Sequence, residues 1–361
     1  MTLQTSLSVY DDKSSDSIGQ KYKINEQDSY MGLTELFSSD KEWFWRLLRF
    51  MTYLISPAGM RNKITILIYH QVLSVDEPVR EDCITRDEFD QQMAIISKVF
   101  HVISIDQALA YLDQGKIPPR SVVITFDDGY ANNYYEALPV LKKYDLPATL
   151  YVVGSAVQGG ELWNDTVYEL IHSAEPEEID LNVFGMGKQR ITDSAVRHTV
   201  SDQLITKFKT LPPDEQNKAI RQLRKIIGCS ELDKRNMLTA EELVKLSEEP
   251  RMTIGSHTMW HPMLSYIGIT DAENDVKRGK EYIEEIIKKP IEHFAYPYGK
   301  YGKHFHAEHL NMIAALGFKS AVTTNWGSVN KDSSRYFLQR FTPWDKNPIK
   351  FFLRICLNYN K

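Results

Sequence analysis

The sequence predicts a parallel α/β fold, either an open sheet or a closed barrel, on three observations. Short apolar segments recur from Lys63 onward, and most are nearly continuous apolar runs, which is typical of strands covered on both faces. Amphipathic segments with helix-start signals lie between these runs. Strand and helix therefore alternate along most of the chain, which is the pattern of a parallel sheet with helices packed on it.

The individual elements follow from local signals. Four segments have the capping-box spacing, in which Ser or Thr precedes Glu or Gln by three residues, and each predicts a helix start. Gly115 and Gly317 stand where left-handed helix C-caps belong, and Pro290 is expected to stop the helix before it. The capping boxes are Thr85 with Glu88, Ser104 with Gln107, Thr239 with Glu242, and Thr270 with Glu273. The predicted core strands are Ile64–Tyr69, Ser121–Phe126, Ala148–Val153, Met252–Ser256, Ile291–Tyr296 and Lys319–Thr323.

The chain is predicted to consist of a tail, a helical lead-in and one large domain. Residues 1–35 are rich in Ser, Asp and Gln and poor in aliphatic residues, which predicts a disordered tail. Residues 36–62 form the lead-in, with an amphipathic helix expected at 43–55. The domain spans 63–361, and a mostly helical insertion at about 161–235 interrupts its alternation of strands and helices.

Charge and composition restrict the partners and the compartment. The net charge is -5 and the pI about 6.1, so no basic field favours nucleic acid. Three widely spaced cysteines favour a reducing compartment. No secretory signal is visible, so a cytoplasmic location is expected, with possible association with the inner membrane surface.

The helix at 43–55 is too short to span a bilayer; it either packs on the domain or makes peripheral contact with a membrane.

Two adjacent aspartates follow one of the predicted strands. Ser121–Phe126 leads directly into Asp127 and Asp128, and Gly129 comes next. The carboxyl ends of parallel strands line the ligand crevice in such folds. Two carboxylates at this point repel each other unless a cation lies between them or one takes up a proton. A metal site is one interpretation, and a solvated Asp-Asp-Gly turn is the other.

Two histidines four residues apart follow another predicted strand. His257 and His261 come after Met252–Ser256, and one helical turn there would place both imidazoles on the same side. Paired histidines commonly bind a divalent ion in this way, although both can also be structural. His70 ends the first strand and Tyr298 lies in a Pro-Tyr-Gly turn. Each of these two is weak evidence alone, but the four segments, including the one with Asp127 and Asp128, are predicted to end at one rim.

Together these segments resemble the polysaccharide deacetylase family, also called the NodB-homology domain or carbohydrate esterase family 4. The resemblance covers roughly Ile64 to Trp344. Thr125-Phe-Asp-Asp-Gly129 and His257-Thr-x-x-His261-Pro262 match the first two family motifs residue for residue. The resemblance implies a distorted (β/α) barrel of about seven strands. It also implies a hydrolase that acts on carbon–nitrogen bonds other than peptide bonds and removes an N-acetyl group from an amino sugar.

The same resemblance implies roles for single residues. Asp127 looks like the base that activates a water molecule. Tyr298, with Pro297 before it, matches the motif position whose backbone amide helps to hold the oxyanion. One divalent metal ion is expected, and zinc suits two imidazoles and a carboxylate, although other first-row divalent ions bind the same set. The implied metal ligands are Asp128, His257 and His261.

Two departures from the family pattern affect the base and the proton donor. Ala295 stands where many members carry an arginine that braces the catalytic aspartate. The late motif that ends in a catalytic histidine is not found; Arg340 lies in that region and cannot release a proton at neutral pH. His70 is therefore predicted as the general acid, as in the branch similar to exopolysaccharide (poly-N-acetylglucosamine) deacetylases. Arg340 is predicted to brace a carboxylate, with Asp127 as the candidate.

These assignments predict a metal-dependent deacetylase that removes an acetyl or other acyl group from an amino sugar of a polysaccharide or glycolipid. The alternatives are the same hydrolysis of a non-sugar amide, a catalytically silent carbohydrate-binding module, and a membrane-recruited scaffold. Both aspartates and both histidines are retained, which argues against a silent module because binding alone needs no activated water. Three further histidines after the third motif fit either a second metal site or, more simply, a solvated helix face: His304, His306 and His309.

Overall fold

Strands and helices alternate along the chain in this computed structural model, which describes residues 41–56, 60–77, 83–157, 161–175, 178–229 and 235–361. The predicted tail, residues 1–35, lies outside the described residues. The helices are α1 Glu42–Ile55, α2 Arg86–Val99, α3 Ile105–Gln114, α4 Leu138–Lys143, α5 Trp163–Ser173, α6 Ser194–Phe208, α7 Pro213–Ile227, α8 Ala240–Glu248, α9 Ile269–Ile287, α10 Ala307–Ala315 and α11 Pro348–Asn358. The strands are β1 Ile64–Tyr69, β2 Val72–Leu73, β3 Ile84–Thr85, β4 His101–Val102, β5 Ser121–Phe126, β6 Ala148–Val152, β7 Glu178–Asp180, β8 Lys188–Arg190, β9 Met252–Ser256, β10 His293–Ala295, β11 Ser320–Trp326 and β12 Leu338–Arg340.

Seven parallel strands within the described ranges form a nearly closed barrel. Their order is β1, β5, β6, β9, β10, β11 and β12, and β4 pairs with the start of β5 outside this path. After β12, the N–H of Phe341 donates to the Ile66 carbonyl at 2.7 Å, and the Phe341 carbonyl accepts from Ile68 N–H at 3.0 Å. The last strand therefore returns to β1. The predicted distorted (β/α) barrel is confirmed.

The six predicted core strands all belong to this barrel. β1, β5 and β9 have the predicted bounds, and every residue of β1 and β5 is buried, which explains their continuous apolar runs. β10 is shorter than predicted and β11 is longer. The seventh strand, β12, was not predicted from its own sequence, because it has only three residues and ends in a fully buried arginine, Arg340.

Most of the predicted helix ends are present. Thr85, Ser104 and Thr239 each form a capping box. The box predicted at Thr270 is wrong: α9 begins one residue earlier, at Ile269, and its N-cap is Gly268, so Thr270 lies inside the helix. Left-handed glycines, with φ of +63° at Gly115 and +78° at Gly317, end α3 and α10 as predicted. The helix before Pro290 ends at Ile287.

Helix α1 buries one face and exposes an apolar stripe on the other. Arg49 of α1 donates a hydrogen bond from Nε to the Lys98 carbonyl at the end of α2, at 2.8 Å. The helix thus packs on the domain, and contact of residues 43–55 with a membrane stays a prediction. No described helix is both long and apolar enough to cross a bilayer. The buried residues are Phe44, Trp45, Leu48 and Thr52, and the exposed stripe is Trp43, Leu47, Phe50 and Leu54.

The insertion between β6 and α8 contains the three helices α5, α6 and α7. Residues such as Val167, Leu204 and Leu223 form a separate apolar cluster among them. The insertion also holds the antiparallel pair of β7 and β8, which the sequence did not predict because each strand has only three residues. Helix α5 begins at Trp163. Asn164 in its first turn lines a cavity at the carboxyl end of the barrel, so the insertion contributes to this end.

Candidate active site

The candidate site residues lie at the carboxyl end of the barrel strands. β1 and β5 pair in register up to Tyr69 opposite Phe126, so His70 and Asp127 follow neighbouring strands. The N–H of Asp127 donates to the Tyr69 carbonyl at 2.9 Å. A cavity of about 680 Å³ opens at this end. It is lined by all the chemistry-bearing side chains that the sequence placed at one rim: His70, Asp127, Asp128, His257, His261 and Tyr298.

Asp128, His257 and His261 converge on one point in the lining of the cavity. Nε2 of each imidazole lies 3.5 Å from Oδ1 of Asp128, and all three side chains are buried. Their ligand atoms lie within 4.8 Å of one another. Nδ1 of His257 donates to the Ala295 carbonyl at 2.7 Å, which leaves the Nε2 lone pair directed at Asp128. Two imidazoles and a carboxylate in this arrangement fit one divalent cation.

Left-handed backbone brings these side chains together. φ is +76° at Asp128, +70° at Thr258, +55° at His261 and +58° at Tyr298. Such conformations cost non-glycine residues about 1–3 kcal/mol each and are concentrated at functional sites. The helical turn considered for the two histidines does not form. Instead, the N–H of His261 donates to Oγ1 of Thr258 at 3.0 Å and holds the loop in a tight bend.

Helix α9 supports the histidine loop from behind. Oδ1 of Asp275 accepts from the N–H of Met259 at 2.9 Å and from that of Trp260 at 3.4 Å. One turn later, Gly279 contacts the loop so closely that an added Cβ would lie 2.5 Å from the Thr258 carbonyl carbon. Neither residue was singled out from the sequence. The available signal was an acidic residue and a glycine on the buried stripe of an amphipathic helix.

Arg340 binds both carboxylate oxygens of Asp127. Its two terminal nitrogens donate to Oδ1 at 2.7 Å and to Oδ2 at 2.6 Å. The same guanidinium donates to Oγ1 of Thr125 at 3.1 Å and, through Nε, to the Thr323 carbonyl at 2.8 Å. Arg340 is fully buried and Asp127 is 2% exposed. The contact expected between these residues is therefore present, and the arginine comes from β12 rather than from the position of Ala295 on β10.

The charges around Asp127 hold it in the ionised form. Burial alone would raise the pKa of the Asp127 carboxyl, but the charge and hydrogen bonds of Arg340 outweigh burial and lower the pKa to about 2. For Asp128, burial and then the neighbouring charge of Asp127 raise the pKa well above its ordinary value. Two adjacent carboxylates thus have opposite tendencies, and the one beside the imidazoles needs a positive charge to remain ionised.

Both histidines of the loop favour the neutral state. Burial lowers the pKa of His257 to about 4, and it also lowers the pKa of His261, where the charge of His257 acts in the same direction. Neutral imidazole is the form that binds a metal ion. The donor atoms therefore meet the chemical requirement of a cation site at neutral pH.

His70 lies at the mouth of the same cavity. Its carbonyl accepts from Nδ2 of Asn133 at 2.8 Å, which fixes the chain after β1. The side chain reaches solvent, yet the protein atoms crowded around its ring lower the imidazole pKa. The charge of Asp127 acts against this shift and that of Arg340 adds to it. His70 is therefore mostly unprotonated at neutral pH.

The Pro-Tyr-Gly turn closes the cavity beside His261. The ring centroids of Tyr298 and His261 are 4.9 Å apart, and the Tyr298 carbonyl accepts from Oγ1 of Thr324 at 2.7 Å. Gly299 donates to the Pro297 carbonyl at 2.6 Å and has a φ of +64°. A side chain at Gly299 would collide with the Thr324 backbone, so the turn requires glycine here.

Some residues of the cavity carry no sequence signal. Asn164 and Asp165 come from the first turn of α5, in the insertion; Asn164 lines the cavity, and the charge of Asp165 contributes to the raised pKa of Asp128. Trp344 also lines the cavity, four residues after β12. None of the three belongs to a recognisable motif, because their proximity to the site arises only when the insertion and the chain after β12 fold against the barrel.

The three later histidines serve the local fold. Nδ1 of His304 accepts from Lys300 N–H at 3.1 Å, and Nδ1 of His309 accepts from His306 N–H at 3.0 Å. Among the described residues, the groups that could hold a metal do not include them. The solvated helix face is wrong for His309, which is 1% exposed; its Nε2 lies 3.2 Å from the Leu264 carbonyl.

Comparison with known proteins identifies the family. The family model described as "Polysaccharide deacetylase" matches residues 114–321, more than half of the chain. The chain belongs to the polysaccharide deacetylase family. It is accordingly a hydrolase of carbon–nitrogen bonds other than peptide bonds, as the resemblance implied.

Individual relatives are distant but extensive. The chain is 21% identical over 280 residues to YxkH of Bacillus subtilis (strain 168), covering 77% of this chain and 70% of that protein. It is 22% identical over 292 residues to the poly-beta-1,6-N-acetyl-D-glucosamine N-deacetylase of Staphylococcus aureus (strain MRSA252), covering 77% and 78% respectively. Among solved structures, IcaB from Ammonifex degensii is 19% identical with a TM-score of 0.54, over 82% of this chain and 97% of that one. This structural likeness supports the barrel fold.

Proposed function

We propose that the protein is a metal-dependent N-deacetylase that acts on acetylated amino-sugar units of a polysaccharide. One observation carries the proposal: an ionised, arginine-bound Asp127 stands next to the converging ligand atoms of Asp128, His257 and His261. The family and the named activity of the Staphylococcus relatives support an N-acetylglucosamine polymer as the substrate class. A glycolipid with the same amide is the nearest variant of this substrate.

One divalent cation, with zinc as the expected ion, would be held by Asp128, His257 and His261. The raised pKa of Asp128 and the neutral histidines both fit this assignment, because a cation between them removes the repulsion of the paired carboxylates. When bound, such an ion polarises the amide carbonyl and makes water more acidic. The remaining steps depend on side chains of the protein.

Asp127 is the proposed general base. A carboxylate offers about four lone-pair positions, and Arg340 occupies one on each oxygen, so both oxygens can still accept a proton from water. Arg340 also fixes the plane of the carboxylate, so the base is positioned before the substrate arrives. The lowered pKa of Asp127 keeps it in the basic form throughout the neutral range.

His70 is the proposed general acid, and the backbone amide of Tyr298 is the proposed oxyanion donor. His70 lines the same cavity as His257 and His261, so it is the proposed proton donor to the nitrogen of a bound amide. Its imidazole is mostly neutral in the free protein, so the proton that Asp127 takes from water must pass to His70 before His70 protonates the leaving amine. The rigid turn at Gly299 would hold the Tyr298 amide in place.

Acetate release tests this proposal directly. Purified protein loaded with zinc is incubated with N-acetylglucosamine oligomers, with other N-acetylated glycans and with simple non-sugar amides. We expect acetate from the amino-sugar oligomers, none after thorough chelation, and none from Asp127→Asn. Release from the non-sugar amides alone would support the alternative substrate class. No release from any substrate by metal-loaded protein would favour the silent binding module and contradict the proposal.

A further inference from the structure

We propose that the exposed apolar stripe of helix α1 binds the surface of an anionic lipid bilayer. The stripe consists of large side chains spaced four, three and four residues apart, so they share one face of the helix. Their exposed fractions range from 46% to 65%. The proposal is separate from the reaction, because none of these side chains lines the catalytic cavity. The four residues are Trp43, Leu47, Phe50 and Leu54.

The stripe is too apolar for a face that meets only water. Single exposed apolar residues are common, but a row of large ones along one helix marks an interaction surface. The packing face of the same helix is already occupied, since Phe44, Trp45 and Leu48 are buried. Helix α1 therefore presents apolar residues on two faces, one that packs on the domain and one that can bind a second apolar surface.

The charges of helix α1 favour an anionic bilayer as the second surface. Arg46 borders the stripe, because it lies three residues after Trp43 and four before Phe50, and its side chain is 76% exposed. The helix carries two arginines and one acidic residue, Glu42, although the net charge of the whole chain is -5. A helix with an aromatic and aliphatic face bordered by basic residues is typical of segments that lie in the interface of anionic membranes.

Helix α1 contacts the amino end of the barrel, whereas the catalytic cavity opens at the carboxyl end. Nη1 of Arg120, the residue before β5, donates to the Tyr53 hydroxyl at 2.7 Å. Oδ1 of Asn360, after α11, accepts from Oγ of Ser56 at the end of α1, at 2.5 Å. The six residues of β5 separate Arg120 from Asp127, a distance of about 20 Å along the strand. A bilayer bound at the stripe therefore leaves the catalytic cavity open to water.

Vesicle flotation tests the stripe. We compare binding to vesicles of phosphatidylglycerol and phosphatidylethanolamine with binding to vesicles of phosphatidylcholine, and expect wild type to prefer the anionic vesicles about tenfold. Leu47→Ser/Phe50→Ser should weaken binding at least tenfold, because two apolar side chains no longer leave water. Arg46→Gln should weaken it about fivefold, the effect of one basic residue near an anionic surface. The controls Tyr266→Ser, at an aromatic residue that is 54% exposed outside α1, and Arg221→Gln, at an exposed position on α7, should bind as wild type does.

Fluorescence quenching by brominated lipid identifies the face that meets the bilayer, and it decides the question even if the double variant does not fold. Trp43→Phe keeps the stripe apolar, so it should still bind anionic vesicles. It should lose most of the quenching of tryptophan fluorescence that wild type shows on these vesicles. Undiminished quenching in Trp43→Phe would place another face of the protein at the lipid and overturn the proposal.

Other results would also overturn the proposal. One is wild type that does not bind anionic vesicles, and another is equal binding by wild type and a folded Leu47→Ser/Phe50→Ser. A third is a dimer of wild type, seen by sedimentation without vesicle binding and lost in the double variant, since the stripe would then join two copies of the chain. Acetate release from soluble oligomers should be the same in wild type and the double variant, so failure of the stripe leaves the proposed function untouched.

Discussion

Arg340 and Asp127 form a buried, bidentate ion pair that links the last strand of the barrel to the catalytic rim. Many members of the family are expected to provide an arginine from the position occupied here by Ala295. In this chain the same contact comes from β12, which lies two strands further along the sheet. The base is thus held by a different part of the barrel, and the side chain of Arg340 fixes the position of Asp127.

Replacement of Arg340 by Met is expected to reduce both stability and activity. It leaves a buried carboxylate without a partner, which typically costs about 3–5 kcal/mol. The pKa of Asp127, now about 2, will rise, so the acid limb of the kcat/KM profile moves to higher pH. Urea unfolding and a pH–rate profile measure these two effects.

The sign of the stability effect depends on pH. The pKa of Asp127 in the folded protein lies below its ordinary value of about 3.9, so the ion pair stabilises the fold above that pH and the effect fades as pH falls towards 2. Wild type and Arg340→Met should therefore converge in strong acid. Arg335→Met is the control, because Arg335 pairs with Asp113 on the surface and should contribute less than about 1 kcal/mol. Equal losses in both variants would contradict this account.

The strand pattern was sufficient for a parallel α/β sheet, because its strands are buried on both faces and follow one another in parallel; the closed barrel was implied only by the family resemblance. The same parallel order placed the carboxyl ends, and so Asp127 and His257, at one rim. Strand β12 could not be predicted from its own sequence. Leu338–Arg340 is short and mostly polar, and only the closed barrel explains why Arg340 is buried. Asp275 was missed for a related reason, since its partners lie in a loop on another element.

Loss of a ligand side chain is expected to abolish metal binding. His257→Ala and Asp128→Asn each remove one of three converging donor atoms, so the bound ion per chain, measured by elemental analysis, should fall from about one to near zero. A chelator should lower the melting temperature of wild type and leave that of His257→Ala unchanged, because an ion bound only to the folded state stabilises it. His198→Ala, at an exposed position on α6, is the control. An ion retained at full occupancy in both ligand variants would disprove the assignment.

Asp275 is expected to lower the stability of the folded protein at high pH and, at the same time, to support the loop that holds the metal ligands. Burial raises its pKa to about 6, against the hydrogen bonds from Met259 and Trp260. The folded protein therefore binds a proton more tightly than the unfolded chain, and wild type loses stability as pH rises from about 4 to 6. Asp275→Asn removes this loss and keeps an acceptor oxygen, so it should be more stable than wild type at pH 8, by about 1–3 kcal/mol, with no difference below pH 4.

Asp275→Ala provides the contrast, because it removes the acceptor for both loop amides. Its affinity for zinc should fall about 10- to 100-fold, the usual effect of losing a residue that positions a metal ligand. Competition with a fluorescent chelator measures this affinity. If Asp275→Asn and Asp275→Ala bind zinc equally well, the aspartate does not position the histidine loop.

His70 is expected to act on the leaving group, and the choice of substrate can separate this role from binding. His70→Ala should lower kcat for an N-acetylglucosamine oligomer about 10²- to 10⁴-fold, the usual contribution of a general acid. It should keep its metal, because His70 is not among the three converging ligands. An activated ester such as 4-nitrophenyl acetate expels a leaving group that needs no proton, so its hydrolysis should be nearly unaffected in His70→Ala and lost in Asp127→Asn. Equal losses on amide and ester in His70→Ala would remove the acid role and leave His70 as a residue that binds substrate.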